Sequence, residues 1–339
     1  MQKQHLGNTY APSNQTFRQK WAATINIILI AMNLKRRILY TLANLMAFLP
    51  DIWILRLQYF IRTGHILHLQ KPQRYTEKLQ HYKTYYRNPI MKQCVDKYAV
   101  RDYVASTLGT DKYLNTLYQQ CQRAEEIDFD ALPDQFVIKT TDGGGGDNVF
   151  VCRDKKTLDI QSVIKTVNQW RNKKYTVISR EWAYGSSEGS RIIVEKYLED
   201  SSNKDGSIDD YKFLCYDGKF RYLWIDKNRY SNHCRGFWDK DLHFLEGVRS
   251  DCPTFENGHQ PTLPAEINEM IALAEQLSQG FPFVRVDLYN IDGQIIFGEL
   301  TFYPWSGYVN YTPNSFDFDL GEAFNVEGYG EYDKRRIPS

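Results

Sequence analysis

The sequence predicts a mixed fold, α/β in the broad sense (α+β), in which short antiparallel strands alternate with amphipathic helices. Two stretches carry that reading. Residues 281–307, FPFVRVDLYNIDGQIIFGELTFYPWSG, hold two runs rich in Val, Ile, Phe and Tyr around an Asn-Ile-Asp-Gly turn signal, the pattern of a β-hairpin. Residues 136–152 read as strand, glycine-rich loop and strand, with helical apolar spacing on either side.

The 339 residues are 42% hydrophobic and 14% aromatic, enough to bury two or three ordinary cores. Basic and acidic residues balance at 42 to 41, so no global field points to nucleic acid or an acidic polymer. Any anion site must be local. The six cysteines are scattered without a CxxC pair or Cys/His spacing for a metal. A reduced, cytoplasmic compartment without structural zinc is expected.

Near the N-terminus, residues 24–34 and 38–55 are apolar runs separated by Lys35-Arg36-Arg37. The first is too short to span a bilayer, and Pro50 and Asp51 interrupt the second. No small-residue cleavage site follows the first run. Two readings stay open, helices lying in a membrane interface and helices packed on the body or a partner chain.

Beyond residue 60, PQRYTEKLQHYKTYYRN and NPIMKQCVDKYAVRDYVASTLG predict helices, the second stopping at Gly109. FVIK (136–139) and NVFVC (148–152) are short strands. LDIQSVIKTVNQWRN is a helix, RIIVEKYLE (191–199) a buried strand, and residues 211–226 a hairpin turning at Asp217-Gly218. Residues 263–280 form an amphipathic helix ended by Gly280. The expected linker is 200–210.

The chemistry concentrates in the 281–307 hairpin. Side chains two apart share a strand face, so Arg285, Asp287, Glu299 and Thr301 project together. With Ile291, Asp292 and Gly293 as a three-residue loop, Arg285 is expected opposite Glu299 and Asp287 opposite Phe297. Two carboxylates, a guanidinium and a hydroxyl are costly to bury unless something pairs them. Mg²⁺ carrying a polyphosphate would, since it takes carboxylate and phosphate oxygens together while arginine bridges phosphate oxygens. The alternative is an exposed hairpin with a surface ion pair.

The glycine loop TTDGGGGDN is neither a P-loop nor a Rossmann turn, because it has no GxxxxGK[ST] and opens no helix. It offers backbone N–H groups that can close over an anion, with Lys139 at its base; a mobile hairpin tip has the same composition. In RIIVEKYLE an isolated Glu195 charge would be costly to bury, and the amine edge of a polar ring would satisfy it. A surface pair with Lys196 is the alternative.

In this order the pieces resemble the ATP-grasp superfamily, most closely its TupA-like branch, named for teichuronopeptide synthesis and found among surface-polysaccharide genes. The resemblance covers about residues 56–322. It rests on LQYFIRTGHILHLQKPQRYTEKLQHYK, DKYAVRDYV, LPDQFVIK, REWAY, IIVEKYLED, DYKFLCYDGK and the 281–307 hairpin. It implies an ATP-grasp fold, nucleotide held between two α+β subdomains. The implied divisions are a helical extension (1–55), a helical or α/β region (56–130), a lid subdomain with the glycine loop (131–199), a metal-binding catalytic subdomain (200–325) and a tail (326–339).

The resemblance also implies roles. Lys97 and Lys139 match lysines that hold ATP phosphates, and Gly143, Gly144, Gly145 and Gly146 match the loop that closes over them. Glu195 matches the carboxylate that receives the adenine amino group, with Lys196 and Leu198 beside it in the pocket. Lys212 matches a further nucleotide lysine. Arg285 matches the arginine that stabilises the transferring phosphoryl group, and Asp287 and Glu299 match Mg²⁺ ligands. Thr301 stands where most ATP-grasp enzymes have Asn, and the four glycines replace a His-Gly-Ser-Gly type of loop.

The implied activity is an ATP- and Mg²⁺-dependent carboxylate–amine ligase working through an acyl phosphate. Such chemistry needs charge neutralisation and exclusion of water rather than a side-chain nucleophile. The branch suggests a uronic-acid or other sugar acceptor joined to an amino acid or amine, with no nucleic acid involved. Candidate acceptor contacts are His233, Arg235 and Trp305, for which ordinary surface or core duty is the alternative. The competing activities are an ATP-dependent sugar kinase or phosphotransferase, and a glycosyltransferase, which lacks a DxD-type loop here. The expected location is cytoplasmic, with residues 1–55 attaching the enzyme to the inner face of the membrane or to polysaccharide-assembly machinery.

Overall fold

A computed structural model describes residues 50–142, 148–171, 179–184, 189–200, 203, 206–228, 231–256 and 258–327. Residues 1–49, the four glycines 143–146 and the tail from 328 onward lie outside the described residues.

The chain separates into Met1–Leu49 and Pro50–Ser339. Helix α1 (Asp51–Thr63) buries Ile54, Leu55 and Tyr59, the last two clustered with Leu67 and Leu69, and Tyr59 Oη meets Thr76 Oγ1 at 2.8 Å. Those contacts make residues 51–55 part of the folded body.

Helix α2 (Tyr75–Tyr85) begins where the buried Glu77 carboxylate accepts from the Gln73 and Arg74 N–H groups at 3.0 and 3.2 Å. The helix expected after it is two, α3 (Ile90–Val95) and α4 (Val100–Leu108). Asp96 makes the break, its carboxylate accepting from the Tyr98 and Ala99 N–H groups at 3.0 and 2.8 Å. That local bond competes with helix continuation.

Four strands form the first sheet: β1 (Leu117–Cys121), β2 (Phe136–Thr140), β3 (Val149–Cys152) and β4 (Ile192–Lys196), in the order β1-β4-β2-β3 and antiparallel throughout. One face packs Phe136, Ile138, Ile192 and Val194 against Val163 and Val167 of helix α5 (Ile160–Arg171). The alternate residues Lys139 and Glu195 project from the other face.

The second sheet holds β5 (Asp210–Tyr216), β6 (Lys219–Lys227), β7 (Cys234–Trp238), β8 (Phe283–Ile291) and β9 (Gln294–Thr301), in the order β7-β6-β5-β8-β9. Helix α6 (Ile267–Leu277) buries Ile267, Met270, Leu273, Ala274 and Leu277 in the same core as Val284, Val286 and Leu288 of β8. Helix α7 (Phe316–Glu322) approaches the start of α2 so closely that a Cβ on Gly321 would lie 2.1 Å from the Gln73 carbonyl oxygen.

The β8–β9 register departs from expectation. Asp292 (φ 51) and Gly293 (φ 80) form a two-residue turn, with Ile291 paired to Gln294. Continued without interruption, that turn would pair Glu299 with Val286, on the core face. An irregularity at Gly298 restores the parity: Leu288 pairs with Phe297, but Asp287 pairs with Glu299 and Arg285 with Thr301. The four polar groups share one face, as expected, through a different set of partners.

Candidate active site

Register alone builds the centre of the site. Across the second sheet, Trp224, Lys212, Asp287 and Glu299 are successive cross-strand neighbours, and Arg235, Asp226, Asp210 and Tyr289 form the next row. Arg285 grips Asp287 as a fork: Nε donates to Oδ1 and Nη2 to Oδ2, both at 2.6 Å. Nη2 also reaches Glu299 Oε1 at 2.8 Å and Thr301 Oγ1 at 2.9 Å, and Thr301 donates to Glu299 Oε1 at 2.8 Å. Lys212 Nζ donates to Asp287 Oδ2 at 2.7 Å and to Asp210.

Three carboxylates thus meet two cations. Arg285, Lys212, Asp210 and Asp287 are buried, whereas the Glu299 side chain is 45% exposed and opens the cluster to solvent. Burial pushes the Asp287 carboxyl up to about 6, against the pull of Arg285 and Lys212. Burial also works against Glu299, but Arg285, Lys212 and Lys97 outweigh it and hold that carboxyl down to about 2. Burial acts to lower the Arg285 pKa, and Asp287 and Glu299 more than reverse it.

The donors of Asp287, Glu299 and Thr301 are all oxygens, the hard set that Mg²⁺ takes. The exposed Glu299 carboxylate leaves an approach from solvent, so these residues fit the ion.

On the first sheet Lys139 and Glu195 are diagonal neighbours, with Nζ 2.8 Å from Oε2. Arg101 stands 3.5 Å from the other oxygen. The Glu195 charge is therefore met by cations in this structure. Lys196 is exposed, and its carbonyl accepts from Asn115 Nδ2 at 2.9 Å. Leu198 lines a cleft of about 250 Å³ that runs from Val151 and Tyr197 at the first sheet to Asp210 and Tyr289 on the second. Lys97 is bound through its N–H to the Thr141 carbonyl at 3.0 Å. Burial lowers its ammonium pKa, Glu299 of the second sheet raises it, and Lys139 of the first lowers it, so charges from both sheets act on Lys97.

The three acceptor candidates gather at the edge of the second sheet. His233 Nε2 donates to the fully buried Asp226 at 2.9 Å, and Arg235 Nε donates to the same Oδ1 at 2.7 Å. Arg235 also holds Ser250 Oγ at 2.8 Å and Asp251, and is 5% exposed. Its guanidinium is thus held inside the protein by Asp226, Ser250 and Asp251. Cys252 places its ligand atom within 4.8 Å of those of Asp226 and His233.

Trp305 stacks on Trp224 with centroids 4.6 Å apart and planes at 23°. Arg285 lies 5.1 Å over Trp224, and Arg235 lies 4.6 Å over Trp305 and 5.8 Å over Trp224, so two guanidinium groups rest against the indole pair. Trp305 (φ 48) and Ser306 (φ 59) both adopt left-handed backbone, at about 1–2 kcal/mol each. Helix α2 holds the turn: Gln80 Nε2 donates to the Ser306 and Gly307 carbonyls at 2.8 and 3.1 Å, and Lys83 Nζ to the Ser306 carbonyl at 2.8 Å. Ser306 Oγ in turn donates to Glu181. Burial pulls the Lys83 pKa down to about 8 despite Glu181, and burial raises Glu181.

Sequence reasoning missed Asp210, Trp224, Asp226, Lys83 and Glu181. Trp224 and Asp226 had a signal, since they lie on the hairpin read at 211–226, whereas Asp210 fell in the expected linker and proves to open β5.

Residues 77–325 match the TupA-like ATPgrasp family. No curated protein matches the chain. Among solved structures, D-alanine–D-alanine ligase from Bacillus anthracis is 18% identical, with 70% of this chain and 68% of that one covered and a TM-score of 0.40. The same enzyme complexed with ATP is 17% identical at a TM-score of 0.36, covering 61% of this chain and 53% of its own. N5-carboxyaminoimidazole synthetase from Staphylococcus aureus, complexed with ADP, is 12% identical at a TM-score of 0.40, with 70% and 52% covered. The chain therefore spans about half the length of several of the structures it matches. With the family match extending over most of its length, the chain belongs to the TupA-like ATP-grasp family.

Proposed function

We propose that this protein is an ADP-forming carboxylate–amine ligase that joins an amino acid or amine to a uronic-acid unit of a bacterial capsule or other surface polysaccharide. The observation that carries the reading is the buried Arg285–Asp287–Lys212 cluster beside the half-exposed Glu299, across from Lys97 and Lys139. Buried charges kept at such a desolvation cost mark functional sites more often than structural ones. The sugar acceptor is supported by the TupA-like branch and by the Trp305 indole beside the cluster.

In this reading the acceptor carboxylate attacks the γ-phosphorus of ATP, the β,γ P–O bond breaks, and ADP leaves. The amine then attacks the acyl carbon, phosphate departs with the C–O electrons, and the amine proton passes to solvent. Lys97 and Lys139 hold the phosphates, Glu195 receives the adenine amino group, Lys196 and Leu198 border the ring, and the glycines 143–146 close over the chain of phosphates. Arg285 and Lys212 neutralise charge that builds on the transferring group. Mg²⁺ bound by Asp287, Glu299 and Thr301 would add charge neutralisation at the β- and γ-phosphates. The two sheets shield the acyl phosphate from water. Trp305 offers an aromatic platform to the sugar, and His233 a partly exposed imidazole. The enzyme works at the cytoplasmic side, held peripherally at the membrane.

The deciding experiment is an ADP-release screen of amino acids against uronic-acid-containing glycans, followed by mass analysis. A condensed amide product with one ADP per bond is expected. ADP appearing with a phosphosugar and no condensed product would replace the ligase by a kinase.

A further inference from the structure

Helix α1 is apolar on two faces. One face, with Leu55 and Tyr59, is buried in the body. The other carries Trp53, Leu57, Phe60 and Ile61, spaced as one helical stripe and 69, 46, 56 and 70% exposed; Ile66 continues it at 71%. Five of the eight large apolar side chains exposed among the described residues thus lie within fourteen positions. Beside them a cavity of about 500 Å³ is lined by Arg56, Phe60, Ile66, Leu67 and Lys71.

Charge separates the occupants such a face could take. Residues 52–74 contain Arg56, Arg62, Lys71 and Arg74 and no Asp or Glu. Within residues 1–74 the only acidic residue is Asp51, so this end takes ten of the chain's 42 basic residues and one of its 41 acidic ones. A second copy docked about a twofold axis would set Arg56 and Lys71 against the same cations, with no carboxylate on the stripe to answer them. The chain's own first 49 residues are likewise basic and without acids. An anionic lipid surface answers both features, taking the apolar side chains into the interface and the cations onto phosphates.

We propose that the exposed face of α1 docks on an anionic bilayer, with Trp53, Leu57, Phe60, Ile61 and Ile66 in the interfacial layer and Arg56 and Lys71 on the headgroups. The inference rests on the peripheral location proposed above and narrows it to one face of one helix. No helix among the described residues is long and apolar enough to cross a membrane, in keeping with a helix that lies along the surface.

The test is sedimentation of the full chain with vesicles of phosphatidylglycerol and phosphatidylethanolamine in equal parts, and with phosphatidylcholine vesicles. Binding to the anionic vesicles, weakened by salt, is expected. The variant carrying Trp53→Ser, Phe60→Ser and Ile61→Ser should partition at least about tenfold less, as should Arg56→Glu with Lys71→Glu. All five side chains are exposed, so ATP turnover in solution and thermal stability should stay unchanged. Wild-type partitioning by both variants overturns the proposal, as does failure of the unaltered chain to bind either vesicle. Dependence on Lys35, Arg36 and Arg37 alone, read from their charge reversal, would leave the extension as anchor and remove α1. A dimer in lipid-free solution that the serine variant dissolves would give the face to a second copy.

Discussion

Asp287 and Glu299 are both acidic and adjacent across two strands, yet their surroundings differ. Asp287 has both oxygens on the Arg285 fork and a third contact from Lys212. Asp287→Asn strands two buried cations and should cost about 3–5 kcal/mol of stability. Glu299 is half exposed, so Glu299→Gln should cost about 1 kcal/mol or less. Both should nevertheless lose at least about a hundredfold in Mg²⁺-dependent ADP release, because each removes charge where the phosphoryl group transfers. Urea denaturation alongside turnover separates the two effects. If both variants turn over ATP normally, neither carboxylate serves the reaction. Arg285→Lys should be nearly as impaired, since an ammonium cannot reproduce the fork.

At the scale of elements, bulging Gly298 out of the ladder keeps Glu299 and Thr301 on the polar face. Deleting it would leave Leu288 opposite Phe297 and Asp287 opposite Glu299 in a regular ladder, so Glu299 and Thr301 should keep their face, and both turnover and the cooperative unfolding transition should persist. Loss of either would mean that the kink itself, and not the register alone, shapes the site. The same hairpin shows what was legible. Period-two alternation announced that Arg285, Asp287, Glu299 and Thr301 share a face, and it does not depend on the turn. The partners depended on turn length and on an irregularity, which are settled by packing around Asp292, Gly293 and Gly298. Strands β1 and β7 went unread because LYQQC and CRGFW are too short and mixed to alternate. The Lys83–Glu181–Ser306 cluster was invisible for another reason: its members are 98 and 125 positions apart, and only the docking of α2 against the left-handed turn joins them.

That docking has a pH signature. The Lys83 pKa falls from 10.5 to about 8 on folding, so between those values the unfolded chain binds more protons than the native one. Native stability contributed through this group therefore rises with pH in that window. Relative to Lys83→Met, the wild-type protein should gain on the order of 2–3 kcal/mol between about pH 8 and 10.5. Denaturant titrations of both proteins across that range measure it. A constant difference would show that the ammonium is hydrated in the native state.

Over the whole molecule, the cations of the proposed site come from both sheets. Lys139 belongs to the four-stranded sheet, Lys212 and Arg285 to the five-stranded one, and Lys97 feels charges from both. Lys97→Met and Lys139→Met should each weaken ATP binding about tenfold in calorimetry while leaving acceptor preference alone. Unchanged affinity in both would free the cleft of its nucleotide assignment.

The indole pair has an optical consequence. Two rings 4.6 Å apart and 23° from parallel couple their electronic transitions, and Arg285 lies 5.1 Å over one of them. The near-ultraviolet circular dichroism of the folded protein should carry a paired band of opposite signs that Trp305→Phe removes. Because Arg285 also belongs to the cluster proposed to meet the phosphates, nucleotide should change that band before any bond is made. The stack would then report occupancy of the site in real time, without a label.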